Sequence, residues 1–397
     1  MLIYIILFLI ILHNVYKFDI QKKGTERQRI WHFHFCALIL IIVSSLSYRV
    51  GIDSTRYEEG FLHYPILSEF KFKDLQYFNN EPFWVLLNII VKSFFNSWVI
   101  VKLVVMISFT MSLFYVIRRT TRYVFSVVLL FYVISWLPFC FESLRQTMAL
   151  SFFLWGAIPL YEGDFKKYLI RAWPMVLFHS SGIVIFLLAI CFKFIKSTKI
   201  ICIVILSLFG LSALFSDYIY SIANIINFVS AETAEEMQQS FTNETYGLKS
   251  QNLIGFLVHG IQYVFPSVLL SYYYRLRNNN MISSLLLLFS IFSIFSFSWI
   301  ICYRFCDYFR VFYYIAICDF LLVKTEQHKG LIMKGVVVAG TVVLLYFKSN
   351  TLFNSSLSNR TSLDVRYFPY HSVLTKEKDP YREQYVSELT QFTTLFK

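Results

Sequence analysis

Four short polar stretches carry side chains that could do chemistry. The first is Tyr48-Arg49-Val50-Gly51-Ile52-Asp53-Ser54-Thr55-Arg56-Tyr57. Gly51 permits a sharp turn, and Asp53 and Tyr57, four apart, share a face if a helical turn starts near Asp53. Asp53 or Ser54 would cap such a turn, and an ordinary cap and loop would use the same residues. The second is Asn79-Asn80-Glu81-Pro82-Phe83-Trp84, where Glu81 precedes a proline suited to the first helical position. A carboxylate there is favoured by the exposed N–H groups of a helix start, and capping alone would explain it. The third, Phe141-Glu142-Ser143-Leu144-Arg145-Gln146-Thr147, lies where two apolar runs meet. Glu142, Arg145 and Gln146 form a continuous polar patch that faces a partner or an aqueous cavity; a structural ion pair or a snorkelling arginine is the plainer account. The fourth combines His179 with Tyr303, Arg304, Asp307 and Arg310. Asp307 partly neutralises the two arginines three residues to either side, and His179 reads equally well as a hydrogen-bonded bundle histidine.

Arg49, Arg56, Arg145, Arg304 and Arg310 are expected to converge on an anion at the membrane surface. Guanidinium meets phosphate oxygens through paired, charge-assisted hydrogen bonds. A diphosphate on a lipid carrier fits that location, since its tail needs lipid and its head needs arginine.

The elements that position these residues follow from composition. Of 397 residues, 57% are apolar and only 15% charged, where an ordinary soluble chain is about a quarter charged. The apolar residues fall in runs long enough to require lipid, which excludes a soluble enzyme, a nucleic-acid-binding domain and a disordered chain. The clearest spans are 30–47, 98–117, 123–139, 144–160, 252–274, 281–300 and 305–322, with shorter runs at 1–13, 200–215 and 332–347. The apolar start, Met1 to Leu12, lacks a basic leader and reads as a retained helix. The net charge of +12 gathers in basic clusters around residues 17–29, 118–122, 166–171, 193–199 and 275–277, which belong in the cytoplasm. Basic residues at both ends of 168–193 require a break, and Pro174 with His179-Ser180-Ser181-Gly182 supplies one. The expected fold is therefore all-α and polytopic, with about 11–12 transmembrane helices, some short or broken, and both termini outside. Residues 1–347 read as one membrane domain with external loops 48–82 and 216–251, and 348–397 as an external tail. The seven cysteines lie in or beside apolar runs, as small hydrophobes do, and no metal site is expected.

Arg49 through Tyr57, Glu81-Pro82, Leu144-Arg145-Gln146 and Phe178-His179-Ser180, with Tyr303-Arg304-Phe305 and Tyr367-Phe368-Pro369-Tyr370, resemble the EpsG-like family of exopolysaccharide and O-antigen (Wzy-type) repeat-unit polymerases. The resemblance spans roughly residues 48–370 of the sequence. It implies joining of polyprenyl-pyrophosphate-linked oligosaccharides into a surface polysaccharide or capsule on the external face of the bacterial plasma membrane. It also implies a repeat-unit flippase and a chain-length regulator as partners, with no cofactor, metal or nucleic acid. Under that reading Arg145, Arg304 and Arg310 meet the pyrophosphate, with Arg49 and Gln146 also on the substrate. Asp53 is the first candidate for general base, with Glu81 and His179 as alternatives, and Tyr57 stacks on or hydrogen-bonds to sugar. A glycan ligase using the same carrier is a close rival. A flippase or transporter should show corresponding broken helices in two halves, and only one break, near His179, is visible.

Overall fold

The computed structural model describes residues 2–72, 81–191, 198–214, 253–298, 301–327 and 362–394. Within them the regular elements are helices, joined by one antiparallel bridge between Ser47 and Ser372. The expected span 332–347, the loop 216–251, Asn79, Asn80, Lys193, Lys196 and the tail up to residue 361 lie outside the described residues. The chain divides into two compact units, residues 1–186 with 321–397, and residues 187–320.

In the first unit, α1 (Leu2–Asn14) runs on as a π-helical turn, Val15–Ile20, and α2 (Glu26–Ser45) starts at a capping box between Thr25 and Gln28. Helix α3 (Ile52–His63) follows a tight turn, and α4 (Pro82–Phe95) starts with proline at its first position and ends at Asn96 in the left-handed conformation. Helix α5 (Trp98–Thr120) packs against α2 and against the later α8. The apolar run expected as one span over 123–139 is divided at Ser135 into α6 (Val124–Ile134) and α7 (Trp136–Phe141). A second interruption at Glu142 and Ser143 precedes α8 (Leu144–Tyr161). Short helices α9 (Phe165–Ala172) and α10 (Met175–Phe178) fold back on α8, and α11 (Ser181–Cys191) begins after His179, whose backbone is extended. The break expected there is therefore present. Gly182 makes it possible, since a Cβ at that position would lie 2.5 Å from the carbonyl oxygen of Met175.

The three helical stretches Leu2–Ile20, Glu26–Ser45 and Trp98–Thr120 are long and apolar enough to cross a membrane, and Pro82–Phe95 and Val124–Ile134 are shorter apolar helices. Their outward faces carry Leu9, Trp31, Leu38, Ile90 and Ile107 in the open. Water would oppose that exposure and lipid would not, so the architecture is that of a multi-pass membrane protein.

The C-terminal part of the first unit is a strap across the α2–α3 turn. Helix α17 (Ser362–Tyr367) leads through Phe368-Pro369-Tyr370 to α18 (Pro380–Thr394). The Tyr4 hydroxyl donates to the Tyr367 carbonyl at 2.9 Å, and the Tyr4 ring meets Phe368 and Tyr370 edge-on. Backbone hydrogen bonds join Tyr48 to His371 and Val373 to Leu46. The Arg382 side chain, 1% exposed, donates to the carbonyls of Val365, Arg49 and Pro369 at 2.8 to 2.9 Å. A buried guanidinium is tolerable because its donors are met in this way.

The second unit holds α12 (Thr198–Leu214), α13 (Leu253–His259), a π-helical turn Gly260–Val264, α14 (Phe265–Leu276), α15 (Asn280–Ser298) and most of α16 (Ile301–Gln327). Ile205, Phe209, Phe256, Val264, Val268 and Leu287 are the centre of its apolar core. Ser267 bonds to Ser290, and Ser271 to Ser283, pairing α14 with α15 through small polar side chains.

Gly51 sits at φ +85°, and a Cβ there would fall 2.0 Å from the Phe141 carbonyl oxygen; Gly163, at φ +80°, has open space. Gly163→Ala, strained in φ alone, is therefore expected to lower stability by about 1–2 kcal/mol, and Gly51→Ala, which adds a clash to the same strain, by about 2–5 kcal/mol or to prevent folding. Tryptophan-fluorescence melts of the purified protein in detergent measure both, and equal losses would contradict the close approach.

Candidate active site

The start of α3 determines where Asp53 and Tyr57 stand. A helix leaves its first N–H groups without intrahelical partners. Sequence reasoning expects Asp53 or Ser54 to cap this one. The residue at the cap position is instead Gly51, and the acceptor comes from the break before α8. One Glu142 carboxylate oxygen accepts the Ile52 N–H at 3.1 Å and the other accepts the Asp53 N–H at 2.9 Å. The Gly51 N–H donates to the Arg366 carbonyl at 2.9 Å. Burial, reinforced by the charge of Asp53, pushes the Glu142 carboxyl well above its usual range, against the pull of Arg366 and of the two N–H groups.

From that anchored start a row of polar side chains runs along one side of α3. Among the described residues no side chain makes a hydrogen bond or ion pair with the half-buried Asp53 carboxylate. One turn further on, the Tyr57 ring packs on Trp84 and Trp98 at centroid distances of 5.2 and 6.5 Å. Its oxygen accepts from Arg145 Nε at 3.2 Å. Burial pushes the Tyr57 phenol up to about 12, with the Arg145 charge opposing. The phenol is thus neutral near pH 7 and keeps its own proton to donate.

Arg145, in the first turn of α8, lies with its guanidinium carbon 5.6 Å from the Tyr57 ring centre and pairs with Glu81 at 2.6 Å. Glu81 therefore does not cap α4 with its side chain, although it occupies the cap position. Its second oxygen accepts the Ser180 N–H at 3.2 Å. This is how the His179 break reaches the site. Phe83 on α4 packs against Trp173 and Phe178, both at 5.5 Å, and holds the break beside Glu81. The His179 ring is buried, and its Nδ1 faces the Ser181 hydroxyl at 2.7 Å and the Ser181 N–H at 3.2 Å. Gln146 is also buried.

Arg49 faces the strap. It makes a two-point pair with Glu383 at 2.5 and 2.7 Å and a further contact with Glu59 at 2.8 Å. Arg304 and Arg310 belong to the second unit. There the buried Arg310 pairs with Asp307 at 3.0 Å, donates to the Tyr303 hydroxyl at 2.6 Å and lies over the Tyr303 ring. Among the described residues no three His, Cys, Asp or Glu side chains gather as a metal ion would require. Sequence reasoning missed Arg366 and Arg382, which it placed in a tail, and missed that Glu142 reaches back to α3.

The structure thus brings Asp53, Tyr57, Arg145, Glu81 and the backbone beside His179 into one row, carried by four elements of the first unit. A match to the model of the EpsG family covers residues 30–372. The chain belongs to the EpsG family. Membership places it among membrane proteins of polysaccharide biosynthesis, in keeping with a polymerase-type enzyme. Among curated proteins and among solved structures, nothing matches significantly.

The Glu81–Arg145 pair is largely shielded, with side chains 17% and 26% exposed. A double-mutant cycle of Glu81→Gln and Arg145→Gln, read as thermal stability, is expected to give a coupling of about 1–3 kcal/mol. The exposed pair Asp164–Lys167 serves as the control and should show no measurable coupling.

Proposed function

We propose that this EpsG-family protein is a polymerase that joins polyprenyl-pyrophosphate-linked repeat units into a surface polysaccharide. It spans the bacterial plasma membrane many times with both termini outside, and it works on the external face. The observation that carries this reading is the row in which Tyr57 stands between Arg145, held by Glu81, and Asp53, whose carboxylate makes no side-chain hydrogen bond or ion pair among the described residues.

In the reaction, the terminal hydroxyl of an incoming lipid-linked repeat attacks the anomeric carbon of the growing glycan. A new C–O bond forms, the bond from that carbon to the pyrophosphate oxygen breaks, and polyprenyl pyrophosphate leaves with the electron pair. Asp53 accepts the hydroxyl proton. Arg145 exchanges Glu81 for the pyrophosphate and stabilises the charge that grows on it as the bond breaks. Tyr57 hydrogen-bonds to sugar with its free O–H while its oxygen steadies Arg145. Glu81 and His179 are the weaker candidates for base, because each already meets hydrogen-bond donors: Glu81 those of Arg145 and Ser180, His179 the Ser181 N–H. A repeat-unit flippase supplies the substrate, and a chain-length regulator acts on the product.

Loss of the protein is expected to leave glycans of a single repeat, where loss of a ligase would leave long unattached chains. Arg145→Ala and Asp53→Asn should each abolish chain extension with membrane abundance preserved. Gel sizing of the surface glycan reads the outcome, and chains of normal length in the Arg145 variant would refute the phosphate assignment.

A further inference from the structure

Glu142 is not among the residues given a role in the proposed reaction, yet it is the acidic side chain most tightly tied to Asp53. It is 7% exposed, it holds the N–H of Asp53 itself at 2.9 Å, and it holds the preceding N–H at 3.1 Å. The approach of Gly51 to the Phe141 carbonyl fixes the distance between the two chain segments. A carboxylate that served only as a helix cap would ordinarily come from the cap residue and stand in water. This one comes from 90 residues away and lies within electrostatic reach of the Asp53 carboxylate.

We propose that Glu142 is the positioning residue for Asp53, holding it through the backbone and forming with it one carboxylate pair at the proton-accepting point of the site. This rests on the reading of Asp53 as general base. The charged and titratable groups around the pair are Asp53 and Tyr57 on α3, Arg366 on α17 and Arg382 on α18, with Arg145 on α8 beyond Tyr57. Glu142 is disfavoured as an anion by burial and by the charge of Asp53, so it ionises above the ordinary carboxylate range. Once ionised, its charge favours movement of the sugar proton into the site. The acid limb of the wild-type pH–rate profile then follows the ionisation of Glu142.

The test uses membranes from cells lacking this protein, which accumulate their own lipid-linked repeats, supplied with purified full-length variants and assayed for chain extension across pH. Glu142→Gln removes the neighbouring charge, so the acid limb is expected to move down by about one pH unit or more, with a plateau rate several-fold lower. Arg366→Gln removes a facing cation while keeping the backbone carbonyl that binds Gly51, so its limb should move up. Because the two shifts have opposite sign, a general loss of fold cannot imitate them. If Glu142→Gln does not accumulate, the Arg366 variant carries the test alone. Profiles that superimpose on wild type overturn the pairing even with Asp53→Asn inactive. Undiminished extension by Asp53→Asn overturns the functional reading and the pairing together.

Discussion

A helix that begins inside a packed, largely apolar body must find acceptors for its first N–H groups there, because water is not at hand. Helix α3 meets that demand with a carboxylate from another part of the chain, and much of the first unit follows from it. For Glu142 to reach Ile52 and Asp53, the chain must break between α7 and α8, and the Phe141 backbone must come within contact of Gly51. That approach leaves no room for a side chain at Gly51. It also directs the Gly51 N–H away, toward the Arg366 carbonyl. Arg382 then closes the arrangement by gathering the carbonyls of Arg49, Val365 and Pro369, which belong to the turn and to the strap. The segment after residue 361 is thus part of the wall that fixes α3, and through α3 it fixes the row of polar side chains.

Local features were legible in the sequence because their causes are local. Asp53 and Tyr57 do share a helix, Pro82 does open one, and the chain does break at His179 beside Pro174 and Gly182. The membrane class was readable because apolar excess depends on composition and needs no partner. Features requiring two distant segments were not readable. Nothing near Asp53 says that its helix is capped from residue 142, and a charged segment that follows a long apolar run looks the same as a tail whether or not it docks. Arg49 shows the ambiguity most plainly. A guanidinium at an outer helix end suits a bound phosphate, but Glu383 and Glu59 suit it equally well, and they are the partners it has. The division of the 123–139 run at Ser135 did have a breaker in the sequence: Pro138, in the first turn of α7, has no N–H to bond back to Ile134 and its ring crowds that carbonyl.

An arginine close to lipid needs a counter-charge whether or not substrate is present, since an unpaired guanidinium in a poorly hydrated place is costly. Glu81 is that counter-charge for Arg145, and Tyr57 supplies a second, neutral contact. On the proposed reading, a diphosphate displacing Glu81 would exchange one carboxylate for a group of higher charge and more acceptor oxygens, so the guanidinium would not be left bare. Tyr57 need not move in that exchange, because its oxygen is bound to Nε while Glu81 is bound to a terminal nitrogen. Once displaced, Glu81 would keep the Ser180 N–H within reach of its other oxygen. Glu81 meets one backbone donor and Glu142 two, and on the proposed reading that difference in attachment separates the group that would yield to substrate from the group that fixes the frame.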